Sequence, residues 1–248
     1  MQVLQNLIQS ISGQLLPTEC IICKQFQAAN VCNSCLQRLY HDSLLNYECC
    51  YQCAIPLQSA ELSSDKCNSC DRQTPAFDQT VCLDRYDGAL QEALHQLKYQ
   101  KRLSFAHGLS DVWNTLLAST IDDQSIDYLV PVPLSQKKLL TRGFNQSWEL
   151  ARRIQCGKHI QKLAFTLKRF HDIEQQAGKN FSARQQDIHG MFYIDAKDIP
   201  LLKGKSVVVF DDVMTTGATL NEIARTLKMI GVTWVGNWVL LRTTKLMP

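Results

Sequence analysis

No stretch of the 248-residue chain runs eighteen apolar residues without interruption, so a membrane-spanning helix is not expected. The opening segment MQVLQNLIQSISGQLL contains no lysine or arginine, which argues against a secretory signal peptide. Its Leu4, Leu7, Ile8, Ile11 and Leu15 fall at helical spacing instead, as in an amphipathic docking helix. The glycine-rich dinucleotide fingerprint and the Walker pattern are both missing, which removes the common nucleotide folds. Cysteine nearly vanishes beyond residue 70, where Cys82 and Cys156 stand alone and read as small buried hydrophobes. Neither sign of charge dominates, with 26 Lys+Arg against 23 Asp+Glu. Secretion is therefore not indicated, and a cytoplasmic protein with no integral membrane segment is expected.

What the chain does have is unevenly distributed. Its length suits one large domain, or one ordinary core with a smaller module attached. Hydrophobic residues at 45% and charged residues at 20% are ordinary for a globular protein. The mild net charge of +3 conceals an asymmetry: residues 1–75 carry four basic and six acidic side chains, leaving 22 and 17 for the remainder. Residues 137–184 are the most biased, with eleven basic against three acidic. An anionic ligand is expected there.

Eight of the eleven cysteines form four Cys-x-x-Cys pairs: Cys20 with Cys23, Cys32 with Cys35, Cys50 with Cys53, and Cys67 with Cys70. A two-residue gap lets both thiolates of one turn face a single metal, and two pairs complete a tetrahedral shell that suits zinc. So short a segment buries too little apolar surface to fold alone, and metal ligation supplies the missing free energy. Two structural zinc ribbons are the reading. A disulfide framework needs an oxidising compartment for which no export signal speaks, and an iron–sulfur cluster or redox dithiol is equally outweighed. Sequential use of the pairs fits the spacing, an interleaved arrangement stays open, and Cys49 stands close enough to Cys50 to substitute as a ligand. Closed four-cysteine shells imply scaffolding rather than catalysis.

The character changes near residue 75, giving a predicted N-terminal helix and four-cysteine zinc-ribbon module over 1–75 and a second domain over 76–248. Residues 80–86 alternate and read as extended. ALQEALHQLKYQ and LSFAHGLSDVWNTLLAST follow as helices, on which His95 and His107 read as surface or packing residues. DYLVPVPLS is a strand broken by prolines, FNQSWELARRI a helix, and LAFTLKRF a second strand; a polar stretch over 171–189 precedes MFYI. The strand SVVVF, the helix LNEIARTLKMI closed by Gly231, and the strand VTWVGNWVLLR complete the chain. Strands alternating with helices imply an α/β fold, a parallel sheet flanked by helices on both faces. Ligands in such sheets bind beyond the carboxyl ends of the strands.

One such end is VVVFDDVMTTGATL, where four apolar residues give way to Asp211 and Asp212 and then to a threonine-rich loop. The amides of Thr215, Thr216, Gly217, Ala218 and Thr219 precede or open a helix, and free amides with the helix dipole form an anion site. The carboxylates alongside would repel a bare phosphate, so the ligand must also offer donors. A sugar phosphate does both. The spacing of Thr219 and Glu222 is also that of a capping box, which accounts for one threonine but not for the acid pair, the other threonines and the glycine together.

This segment resembles the phosphoribosyl-pyrophosphate (PRPP) binding motif of type I phosphoribosyltransferases. With the cysteine pairs, LKY at 97–99, PVPLS and RGFNQS at 142–147, nearly the whole chain resembles the ComF family of competence-related proteins, including relatives labelled GntX. The resemblance implies that Asp211 and Asp212 contact the ribose hydroxyls and that the 215–219 loop holds the 5′-phosphate. It implies a loop over residues 134–142 approaching the diphosphate through Lys137, Lys138 and above all Arg142, magnesium bridging diphosphate and ribose, and a mobile segment over 171–189. Family members carry serine, arginine and asparagine there; this chain has Ser182 and Arg184 but is slightly shorter, with Asp187 near the asparagine position. The catalytic set so implied is Asp211, Asp212 and Arg142, with diphosphate leaving C1′ as a nucleophile enters from the opposite face.

Two functions of different class follow. One is phosphoribosyl transfer to an unidentified acceptor linked to DNA uptake in natural transformation. The other is a non-catalytic module that senses PRPP or binds single-stranded DNA beside other competence proteins, for which zinc ribbons and a basic stretch are suited.

Overall fold

The computed structural model describes residues 18–170 and 190–244. The expected N-terminal helix and the 171–189 segment, with Ser182, Arg184 and Asp187, lie outside the described residues. In chain order the strands are β1 (Thr18–Glu19), β2 (Phe26–Gln27), β3 (Gln79–Arg85), β4 (Tyr128–Pro131), β5 (Gln161–Lys162), β6 (Leu167–Arg169), β7 (Phe192–Ile194), β8 (Ser206–Met214) and β9 (Trp234–Arg242). The helices are α1 (Asn33–Asp42), α2 (Asn68–Arg72), α3 (Gly88–Tyr99), α4 (Ser104–Leu116), α5 (Gln136–Arg142), α6 (Gln146–Ala151), α7 (Ile199–Leu202) and α8 (Ala218–Met229).

Five strands form one parallel sheet in the order β3-β9-β8-β4-β5. The central β8 is apolar from Val207 to Phe210 because both of its faces are covered, as parallel sheets require. Val208 and Phe210 pack into one cluster with Leu94, Leu97, Leu109, Trp113 and Leu150 from α3, α4 and α6. Val207 and Val209 face the other way, onto Leu220, Ile223, Ala224 and Leu227 of α8. Period-two alternation thus serves two hydrophobic layers at once. Trp113, fully buried, meets Phe210 edge-on with ring centroids 5.7 Å apart.

Three local expectations change. LAFTLKRF does not enter the parallel sheet: β5, just before it, takes the edge beside β4, while β6 pairs antiparallel with β7 as a separate ribbon. The expected loop over 134–142 is mostly helix, since the Ser135 hydroxyl caps α5 by accepting from Lys138 N at 3.4 Å and Gly143, at φ +86°, ends it. Strand β8 does not stop at the acids. It runs through them to Met214, held by pairing with β9 as far as Met214 opposite Arg242.

The cysteine-rich segment packs onto this sheet-and-helix body. Cys20, Ile21, Val31, Cys35 and Leu39 join the α3–α4 cluster, and Leu44, Cys50, Cys53, Ala54, Cys67 and Cys70 join the α8 cluster. Ile21 occupies a notch in α4 at Gly108, where a Cβ would come within 2.7 Å of Ile21 Cδ1. Among the described residues no helix is long and apolar enough to cross a membrane.

Candidate active site and cysteine clusters

Asp211 and Asp212 are 9% and 3% exposed, and every carboxylate oxygen so buried needs a partner. The partners come from the first turn of α6 and the last turn of α3. Gln146 Nε2 donates to Asp212 Oδ1 at 2.8 Å, and Ser147 Oγ donates to Asp211 Oδ1 at 3.2 Å. The Asp212 amide donates to Asp211 Oδ1 at 2.9 Å. Lys98 forms an ion pair with Asp212 Oδ2, and Arg142 donates to Gln146 Oε1. Asn145 sets the geometry of this turn: its Oδ1 accepts from Ser147 N, capping α6, while its Nδ2 donates to Val132 O at 3.0 Å. Arg142 also lies over the Tyr99 ring, 5.9 Å from its centroid. LKY and RGFNQS, distant in sequence, thereby meet on the acid pair.

The two acids titrate in opposite directions. Burial, with the neighbouring Asp212 charge, pushes Asp211 well above the usual carboxylate range. Burial acts the same way on Asp212, but the Lys98 charge and hydrogen bonds from Gln146, Lys98 and Asp211 outweigh it and hold Asp212 below that range. The pair therefore joins a carboxyl that keeps its proton to higher pH, Asp211, to one that gives it up readily, Asp212.

Directly after β8 comes the 215–219 loop. Thr215 and Thr216 are exposed, and Thr216 Oγ1 accepts from Ala218 N at 3.3 Å. Gly217 is the N-cap of α8 at φ +80°, so the Thr219–Glu222 spacing does not form a capping box here; Glu222 instead accepts from Gly190 N at 2.7 Å. A Cβ at Gly217 would lie 2.6 Å from Met214 Cε. The first-turn amides of α8 have no partners within the helix, and its dipole favours an anion in front of them. Carboxylate pair and anion-type loop are thus adjacent, as the sequence pattern predicts. Of the basic residues on α5, Arg142 alone reaches this network; Lys137 and Lys138 are exposed.

The cysteines gather into two groups, Cys20, Cys23, Cys32 and Cys35, and Cys50, Cys53, Cys67 and Cys70, with all sulfurs of a group within 4.8 Å of one another. The grouping is sequential, and Cys49 stands outside it, its sulfur turned to Leu44 O at 3.9 Å. Both groups use the same two parts. In each, a tight turn follows the first pair, with Lys24 N bonded to Cys20 O and Ala54 N to Cys50 O, and the residue after the pair sits at positive φ, Lys24 at 66° and Ala54 at 57°. The second pair opens a helix, with Cys32 and Cys67 at the N-cap positions of α1 and α2 and neither sulfur bonded to a helix amide, so the sulfurs lie at a positive helix end. Sulfur separations of 3.9 Å (Cys20–Cys32), 3.8 Å (Cys23–Cys32) and 3.6 Å (Cys53–Cys67) match the ~3.8 Å edge of a tetrahedron with metal–sulfur bonds of about 2.3 Å. The donor set fits a tetrahedral thiophilic metal.

The phosphoribosyl transferase domain matches residues 113–245, more than half of the chain. The chain belongs to the phosphoribosyl transferase family. It is 30% identical over 234 residues to the DNA utilization protein YhgH of Escherichia coli K12, covering 92% of this chain and 98% of that one. Competence protein F of Haemophilus influenzae is 25% identical, covering 90% of this chain and 96% of its own. Competence protein ComFC of Bacillus subtilis is 26% identical, covering 79% and 77%. The ComF resemblance drawn from the cysteine pairs and the PRPP-type motif is borne out, as is the phosphoribosyltransferase-like parallel sheet.

Within this phosphoribosyltransferase fold, sequence reasoning missed Lys98, Gln146 and Ser147. All three sit in the LKY and RGFNQS stretches, which carried the resemblance without yielding roles. Arg242, which donates to Met214 O at 3.0 Å where β8 passes into the 215–219 loop, was missed as well, since a terminal strand arginine gives no signal in sequence.

Proposed function

We propose that the chain binds PRPP with magnesium and transfers its phosphoribosyl group to a base or related acceptor, in the handling of DNA taken up by the cell. The observation that carries this reading is the buried Asp211–Asp212 pair, held by Lys98, Gln146 and Ser147 directly before the 215–219 loop. Asp212, held ionised by Lys98 and Gln146, would accept from one ribose hydroxyl; Asp211 would donate to or accept from its neighbour. The amides at 215–219 would take the 5′-phosphate, and Arg142 would face the diphosphate as it departs. Magnesium, when bound, neutralises charge on that leaving group. The residues of the chain orient the sugar so that the acceptor meets C1′ on the face opposite the leaving group.

Each four-cysteine group is read as holding one structural zinc ion. The division near residue 75 is kept as one of ligand chemistry: a metal-stapled module over 1–75 on a phosphoribosyltransferase body over 76–248. The names of the relatives support a reading in DNA utilization and competence, with other competence proteins as partners and the cytoplasm as the location. A second reading, non-catalytic PRPP sensing or single-stranded DNA binding, is favoured by the exposure of Lys137 and Lys138, free to meet a polyanion.

Calorimetric titration of PRPP with magnesium into the zinc-loaded chain, beside an Asp211→Asn/Asp212→Asn variant, tests the first reading. Binding lost in the variant supports it. Absence of binding in the wild type overturns it and leaves the polyanion reading, which salt-dependent DNA titration of a Lys137→Gln/Lys138→Gln variant then decides.

A further inference from the structure

Arg242 ends β9 with its side chain 3% exposed, and no ion pair with a carboxylate is formed by it among the described residues. Its guanidinium is spent on carbonyls from two distant parts of the chain. Nε donates to Cys53 O at 2.9 Å. NH1 donates to Met214 O at 3.0 Å, to Thr243 O at 2.8 Å, and to Thr215 O. Cys53 belongs to the second four-cysteine group, whereas Met214 and Thr215 are where β8 passes into the anion-type loop. One side chain thus spans the metal-type cluster and the loop.

The consequence for the loop follows from peptide geometry. In a planar trans peptide the C=O and the following N–H point in opposite directions, and the chain contains no cis peptide among the described residues. Holding Met214 O and Thr215 O toward Arg242 turns the amides of Thr215 and Thr216 away from it. Those are the first amides available to an anion. The consequence for the cluster is geometric: the Cys53 carbonyl that Arg242 Nε holds belongs to the Cys50–Ala54 turn, which metal ligation would fix. Without metal that turn loses its anchor, and the Cys53 carbonyl no longer fixes the guanidinium fork.

We propose that Arg242 is a positioning residue that couples the Cys50, Cys53, Cys67 and Cys70 cluster to the 215–219 loop, so that metal in the cluster and phosphate on the loop strengthen each other. The proposal rests on the PRPP reading above. Coupling of this kind is reciprocal, so PRPP must raise zinc affinity by the factor by which zinc raises PRPP affinity.

The test uses the full chain carrying two zinc ions, equilibrated against a chromogenic chelator with and without magnesium and PRPP, with calorimetry of PRPP on the same samples. PRPP should raise the affinity of one zinc of the two by roughly fivefold or more, the lower range of known couplings, and leave the other unchanged. The Asp211→Asn/Asp212→Asn variant, which cannot hold PRPP, should show no such shift and so controls for zinc capture by free PRPP. Arg242→Lys keeps the charge but loses the fork; it should weaken PRPP binding by a similar factor and abolish the zinc shift, with circular dichroism confirming its fold. If PRPP binds the wild type and neither zinc responds, the coupling is wrong and the PRPP reading stands, whether or not Arg242→Lys folds. If PRPP does not bind at all, both fall.

Discussion

Asp211 and Asp212 are neighbours on one strand, yet their environments push them apart, and the division is what makes the pair useful. Asp212 lies below the ordinary 3.8, so its contribution to stability is present at neutral pH and disappears as pH falls through its folded-state value. Asp211 lies above 3.8; the folded chain holds that proton more tightly than the unfolded chain, so its contribution is present in acid and is lost as pH rises. Asp211→Asn keeps the shape of the protonated acid and removes the titration. The variant should therefore gain stability over wild type as pH rises from the acidic range toward neutrality, read as urea midpoints across a pH series. The same change should weaken PRPP several-fold, since a hydrogen bond between neutral groups contributes roughly 0.5–1.5 kcal/mol. A variant less stable than wild type at neutral pH would show that Asp211 is ionised in the fold. The pair itself was legible in sequence because two acids after four apolar residues have no packing rationale. Lys98 was not: a lysine in the last turn of an amphipathic helix reads as a solvated C-terminal charge, and only the approach of α3 to β8 shows otherwise.

Among the elements, the passage from β8 to α8 is the most tightly constrained. The strand stays straight through Met214 by pairing with β9, then reverses into a helix within three residues, which Gly217 permits at φ +80°. Gly217→Ala forces an L-residue into the left-handed region, at roughly 1–2 kcal/mol, and drives a methyl toward the buried end of Met214. The variant should lose about that much stability in urea unfolding and bind PRPP at least several-fold more weakly, because the amides of the 215–219 loop shift with the turn. Unchanged affinity at reduced stability would exclude the loop from the ligand site. Alternating strands and helices made the parallel sheet legible. Strand β5, two residues of Gln161–Lys162 with no apolar pattern, was not, since an edge strand needs only the neighbouring β4 backbone. Helix α5 was hidden in the same way: in RGFN the eye goes to the arginine, whereas Gly143 is the residue that ends a helix.

For the whole molecule, the decisive fact is that the cysteine clusters and the sheet share their cores. Ile21 fills the Gly108 notch of α4, Arg85 donates to Asp42 O at 2.7 Å, Leu44 N donates to the buried Asp84 at 3.1 Å, and Thr80 N donates to Tyr51 O at 2.9 Å. A metal-stapled module attached only by a linker would unfold alone on chelation and leave the remaining domain with its melting temperature unchanged. With these contacts, removal of zinc should take down both together, as one cooperative transition at lower temperature. Structural zinc contributes roughly 10–16 kcal/mol of apparent binding free energy at neutral pH. If only about 5 kcal/mol of that stabilises the shared core, a chain of this size should melt roughly 10–20 °C lower without metal. Differential scanning calorimetry of the zinc-loaded chain against the same chain stripped by chelator measures this directly. A second transition, unmoved by chelation, would mean that the sheet and its helices stand without the clusters. In that case the contacts from Ile21, Tyr51 and Cys53 orient a finished domain instead of completing one.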